Sequence, residues 1–160
     1  MIELNSKTQQ DFLNRKWVQK LLDSGVDMSD AKYFIGIYQR KDVVFLKDSH
    51  YVNEFFRCEK AIDIFKSILP TYTVSELLYK LHEYIYPTID GIKYHGALTM
   101  IKDAPFYIFY YELFSNSIAA NKNDDYYIHA EFEYPIESLA SLLIQCHQKG
   151  MGDTGNISDK

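Results

Sequence analysis

The chain has 160 residues, 47% of them hydrophobic and 24% charged, which suits one folded domain and excludes wholesale disorder, collagen-like repetition and coiled-coil composition. Its net charge of −5 is unevenly placed: residues 1–80 hold 12 Lys or Arg against 11 Asp or Glu and residues 81–160 hold 5 against 11, so no basic cluster awaits a phosphate backbone. Apolar runs fall short of the roughly 18–20 residues a bilayer span needs, and the first residues lack the basic and apolar regions of a secretion leader; the expectation is a cytoplasmic protein with neither nucleic acid nor membrane as partner.

Phe12, Leu13, Trp17, Leu21 and Leu22 recur at helical spacing, with Asn5 or Ser6 as cap and Gly25 just past the end, and predict an amphipathic helix. Tyr33–Tyr38 and Val43–Leu46 are β-branched and aromatic runs around the polar Gln39–Asp42, the pattern of a β-hairpin. Ala61, Ile62, Phe65, Ile68 and Leu69 predict a second helix that closes before Pro70. Thr73-Val74-Ser75-Glu76 is a capping box, behind which Val74, Leu77, Leu78, Leu81 and Ile85 form the stripe of a third helix ended by Pro87 and Asp90-Gly91.

From Ile92 the period becomes two, with Ile92, Tyr94, Leu98 and Met100 on one face and Lys93, His95, Ala97 and Thr99 on the other. After a Lys102–Pro105 turn, Phe106–Phe114 is apolar on both faces apart from Glu112, as a central strand covered on two sides would be. Beyond the polar stretch 115–125, residues 126–133 alternate again and predict an edge strand whose polar side carries His129, Glu131 and Glu133. Pro135 opens a largely buried final helix that Gly150 ends, and residues 151–160 read as a flexible tail. The expected fold is a single α+β domain over residues 1–150: an antiparallel sheet of three to five strands with about four helices, in the order α-β-β-α-α-β-β-β-α.

Three blocks, Trp17 to Tyr33, Leu69 to Leu78 and Ile136 to Cys146, together resemble a family of small uncharacterised proteins encoded by phages, prophages and mobile elements of Bacteroides-type gut anaerobes. The resemblance implies an α+β fold and a mobile-element origin, and it brings no catalytic residue to transfer. Segment 47–68 departs most from it.

The chain contains no P-loop, dinucleotide-binding glycine pattern, nucleophile elbow, H-E-x-x-H or zinc-ribbon spacing. Cys58 and Cys146 lie far apart on expected helix faces, as reduced thiols do. Cys146 and His147 are adjacent on a helix and point about 100° apart, a poor geometry for chelating one metal. One cluster carries more chemistry. If the turn pairs Ile101 with Phe106, His95 falls opposite Glu112, and an odd-sum register for the next strand sets Glu112 beside His129. Two imidazoles and a carboxylate are a ligand set of non-heme iron and some zinc sites, or an acid/base cluster; a solvated face with a cross-strand His–Glu pair is the simpler reading.

Of 14 tyrosines, 11 fall between Tyr72 and Tyr134, and tyrosine serves both cores and interfaces. Phe106, Ile108, Tyr110 and Phe114 share a strand face with Glu112 and need a cover, either a helix of this chain or a partner. The leading expectation is a non-enzymatic accessory protein of a phage or mobile element that acts through protein contacts, with a second copy of itself or with a host or phage protein. The alternative is a small metal-dependent or acid/base enzyme using His95, Glu112 and His129. No cofactor is expected.

Overall fold

The computed structural model describes residues 2–46, 67–115 and 126–150. Its elements are β1 (Ile2–Glu3), α1 (Arg15–Asp23), β2 (Tyr33–Tyr38), β3 (Lys41–Leu46), β4 (Leu69–Thr71), α2 (Val74–Lys80), β5 (Tyr84–Ile85), β6 (Thr88–Ile89), β7 (Ile92–Lys93), β8 (Gly96–Asp103), β9 (Phe106–Leu113), β10 (Tyr126–Phe132) and α3 (Pro135–Gln148). The strands pair antiparallel in the orders β1-β3-β2-β4, β10-β9-β8-β5 and β6-β7. This is the expected α+β class. It differs in having three helices among the described residues where about four were expected, and in dividing its strands over sheets of four, four and two.

The first helix starts later than its apolar spacing suggests. Phe12 and Leu13 are drawn into strand-like pairing instead: the Leu13 N–H donates to Tyr72 O at 3.0 Å, and Phe12 bridges Thr73. Asn14 is therefore the cap, its side chain accepting from the Trp17 N–H at 3.1 Å. At the other end Gly25 takes φ +84°, and the Val26 N–H donates to Leu21 O at 3.1 Å while the Gly25 N–H donates to Leu22 O at 2.9 Å, a Schellman closure.

The hairpin β2–β3 forms as expected but with a tighter turn, because Tyr38 pairs with Lys41 and only Gln39 and Arg40 remain outside the ladder. Of the expected second helix, residues 61–66 lie outside the described residues. Its last position, Leu69, belongs to β4, which pairs with Ile35; Pro70 is tolerated there because β4 is an edge strand.

The capping box of α2 is present, Thr73 Oγ1 accepting from the Glu76 N–H at 3.3 Å and Glu76 Oε2 from the Thr73 N–H at 2.9 Å. The helix nonetheless ends at Lys80, and Leu81 is extended. Ile85 reaches the core from β5 rather than from a fourth helical turn, where Leu98 N–H donates to Glu83 O at 2.8 Å and Ile85 pairs with Gly96. A stripe of apolar side chains states which residues are buried; it does not state which backbone delivers them.

One continuous buried cluster joins both four-stranded sheets and all three helices: Ile35 and Val44 from the first sheet, Phe109, Tyr111 and Ile128 from the second, and Trp17, Leu77 and Leu139 from the helices. The final helix is its centre, with Ile136, Leu139, Leu142 and Leu143 all buried, each contributing roughly 1.5–3 kcal/mol of hydrophobic stabilisation. Buried hydroxyls are satisfied: Thr71 donates to Leu13 O at 2.8 Å and Ser138 to Tyr107 O at 2.7 Å. Trp17 locks α1 to α3 through an indole bond to Glu137 Oε1 at 3.0 Å and meets Phe132 edge-on with ring centres 5.0 Å apart.

Candidate functional site

The second sheet has one face in the core and one outside it. Along β9, Phe109, Tyr111 and Leu113 point inward against α3, while Phe106, Ile108, Tyr110, Glu112 and Phe114 alternate outward. The two-sided cover expected for this strand is absent among the described residues: Phe106 is 41% exposed and Phe114 49%. Tyr127 of β10 (49%) and Tyr84 of β5 (54%) lie on the same side, through their registers with Glu112 and Ala97.

The register corrects the expected His–Glu–His row. Asp103 pairs with Phe106, so the turn is the two residues Ala104 and Pro105, and every partner across β8–β9 moves by two positions. His95 consequently stands opposite Phe114, not Glu112. The next register is odd-sum as expected but also displaced by two, with Glu112 opposite Tyr127 and His129 opposite Tyr110. A shift of two preserves faces, so all three side chains remain on the outer side, but they occupy three successive rows. Between His95 and His129 lie four residues of strand, about 13 Å of rise, and two interstrand steps of about 4.8 Å, too far for one metal ion. No hydrogen bond or ion pair joins the three among the described residues, and no group of three or more His, Cys, Asp or Glu is placed there to hold a metal.

Each imidazole instead has an aromatic neighbour: His95 and Phe114 have ring centres 6.1 Å apart, and His129 stacks on Tyr127 at 4.8 Å. Tyr127 also meets Tyr110 at 5.2 Å, giving a band of aromatic surface across β9 and β10. Desolvation, with Tyr110, Glu112 and Glu131 around it, holds the Tyr127 hydroxyl above the usual phenol range. Asp103, Glu112 and Glu131 make no ion pair among the described residues, and the outward positions of β8, β9 and β10 carry no Lys or Arg. The gap between β8 and β9 is close at one end: a Cβ on Gly96 would lie 2.7 Å from Leu113 Cδ2 and 2.9 Å from Glu112 O, so only glycine fits.

Sequence reasoning missed Tyr84, assigned to a helix, and Tyr127, hidden in a tyrosine pair; the alternation Tyr84, Tyr86 was the available signal for the first. It also missed a cleft of about 500 Å³ lined by Asp30, Lys32, Tyr72, Ser75, Glu76 and Tyr79. The acidic groups of that cleft are committed to the fold: Asp30 accepts from the Tyr72 hydroxyl at 2.6 Å and pairs with Lys80 at 3.0 Å, and Glu76 serves the cap and the Lys32 N–H. Cys146 is buried in the core, which pushes its thiol up to about 12, and is an inert packing residue; Cys58 lies outside the described residues.

No described helix is long and apolar enough to cross a membrane. No family model, curated protein or solved structure matches the chain, so the arrangement of its own side chains has to carry the functional reading.

Proposed function

We propose that this chain is a non-enzymatic accessory protein that works by protein contact, and that the outer face of β8, β9 and β10 is its contact surface. The observation that carries this is the aromatic band, exposed at Phe106, Phe114 and Tyr127, on the outer side of a strand whose other side places Phe109, Tyr111 and Leu113 in the core. Aromatic side chains of this kind supply large contact area at little conformational cost, and interfaces are enriched in them. The likeness of three sequence blocks to proteins of phages and mobile elements supports an origin of that type.

The test is photo-crosslinking in the cell that naturally makes the protein, with benzoylphenylalanine placed at Phe114 or at Tyr79, an exposed residue of α2 away from the face. A discrete adduct from position 114 and none from position 79 is the expected result. Equal labelling, or none from the sheet, would overturn the reading.

A further inference from the structure

The outer face has a charge sign as well as an aromatic band, and the two together define a ligand class. Resting on the contact-surface reading above, we infer that the occupant is a basic polypeptide segment of a partner protein, its Arg side chains laid over Tyr110 and Tyr127 and paired with Glu112 and Glu131. Tyr127 stands directly opposite Glu112, and Glu131, four residues further along its strand on the same face, stands opposite Ile108 in the row next to Tyr110, so the two carboxylates flank the aromatic pair from its two ends. A guanidinium stacks on an aromatic face and bonds a carboxylate with its edge at once, which an ammonium does less well. Neither carboxylate has a cationic partner among the described residues, and no Lys or Arg of these strands shares the face, whose one imidazole within the ladder, His129, stacks on Tyr127 and leaves the carboxylates unpaired. Lys102, the basic residue of β8, lies on the opposite side with its ammonium over Tyr107 at 5.3 Å. The same charges argue against a face-to-face dimer, because two copies would set carboxylates against carboxylates.

The experiment uses the full chain and fluorescein-labelled (Gly-Arg)5, (Gly-Lys)5 and (Gly-Glu)5 peptides, with fluorescence anisotropy at low and high salt. The Arg peptide should bind best, the Glu peptide not at all, and added salt should weaken binding. The double change Glu112→Gln with Glu131→Gln should weaken the Arg peptide about tenfold, and Tyr127→Leu should erase most of its advantage over the Lys peptide. Asp11→Asn with Asp23→Asn, the same charge change on another part of the surface, should have little effect. Equal weakening by that control pair would reduce the binding to general acidity and overturn the inference. So would absence of binding; a crosslink from position 114 would then leave the contact-surface reading standing with a partner of other chemistry. A dimer in light scattering that Tyr127→Leu disperses would assign the face to a second copy and overturn the basic partner alone.

Discussion

Tyr127 stands directly opposite Glu112 across the β9–β10 ladder, on the side of the sheet that the described helices leave open. The neighbouring position on each strand, Ile128 and Leu113, is in the core. One residue of displacement therefore separates core positions from an exposed aromatic surface.

The contrast between the two faces is measurable by unfolding. Phe114→Ser and Phe106→Ser should change stability by no more than about 0.5 kcal/mol, as surface substitutions do. Leu139→Ala, in the buried row of α3 against the same sheet, should cost about 2–5 kcal/mol. Urea denaturation of the three variants checks the order; a large loss from Phe114→Ser would mean that the outer face is packed.

Gly96 is required by the approach of β9 rather than by its own backbone angle. Gly96→Ala should destabilise by at least about 2 kcal/mol, because one of the two close atoms is a backbone carbonyl that cannot rotate away. Trimming the other with Leu113→Val should not restore stability, and a double-mutant cycle by thermal melting reads this directly.

The Asp30 carboxyl gives a signed pH dependence. Burial raises its pKa, but the Tyr72 hydroxyl and the Lys80 ammonium outweigh that, and the net effect is a lowered value. A carboxyl with a folded pKa below its unfolded one adds stability that is present above about pH 4 and lost as pH falls through the folded value. Melting temperature should therefore fall more steeply on acidification in the wild type than in Asp30→Asn, which should be about 1 kcal/mol less stable at pH 7. Parallel melting curves down to the acid limit would contradict the assignment.

The β2–β3 turn offers a gain. Gln39 and Arg40 take φ +49° and +63°, the left-handed region that residues with a Cβ occupy at a cost. Replacing the pair with Asn-Gly, the preferred chemistry of a two-residue turn with positive φ at both positions, should raise stability by roughly 0.5–1 kcal/mol. Differential scanning calorimetry checks the sign.

Local chemistry was legible wherever its cause was local. The capping box at Thr73 and Glu76, the glycine closure at Gly25, the β2–β3 hairpin and the buried final helix depend on residues a few positions apart, and each forms in the fold. Ile85 and Leu69 were not legible as strand residues, because burial of an apolar side chain satisfies a helix stripe and a strand pleat equally until a partner strand arrives. The candidate His–Glu–His row failed on a turn two residues shorter than read, a difference that composition does not record.

What the sequence by itself determined is the parity of its strands and those helix ends that a local motif marks, at Gly25, Thr73, Pro135 and Gly150: alternation set which side chains share a face, and a register slip of two left that division intact. Only the tertiary structure decided which residues face one another across strands and which of β9's two apolar faces received α3. Both are choices among partners far apart in the chain, made by the summed packing of the core rather than by any short segment.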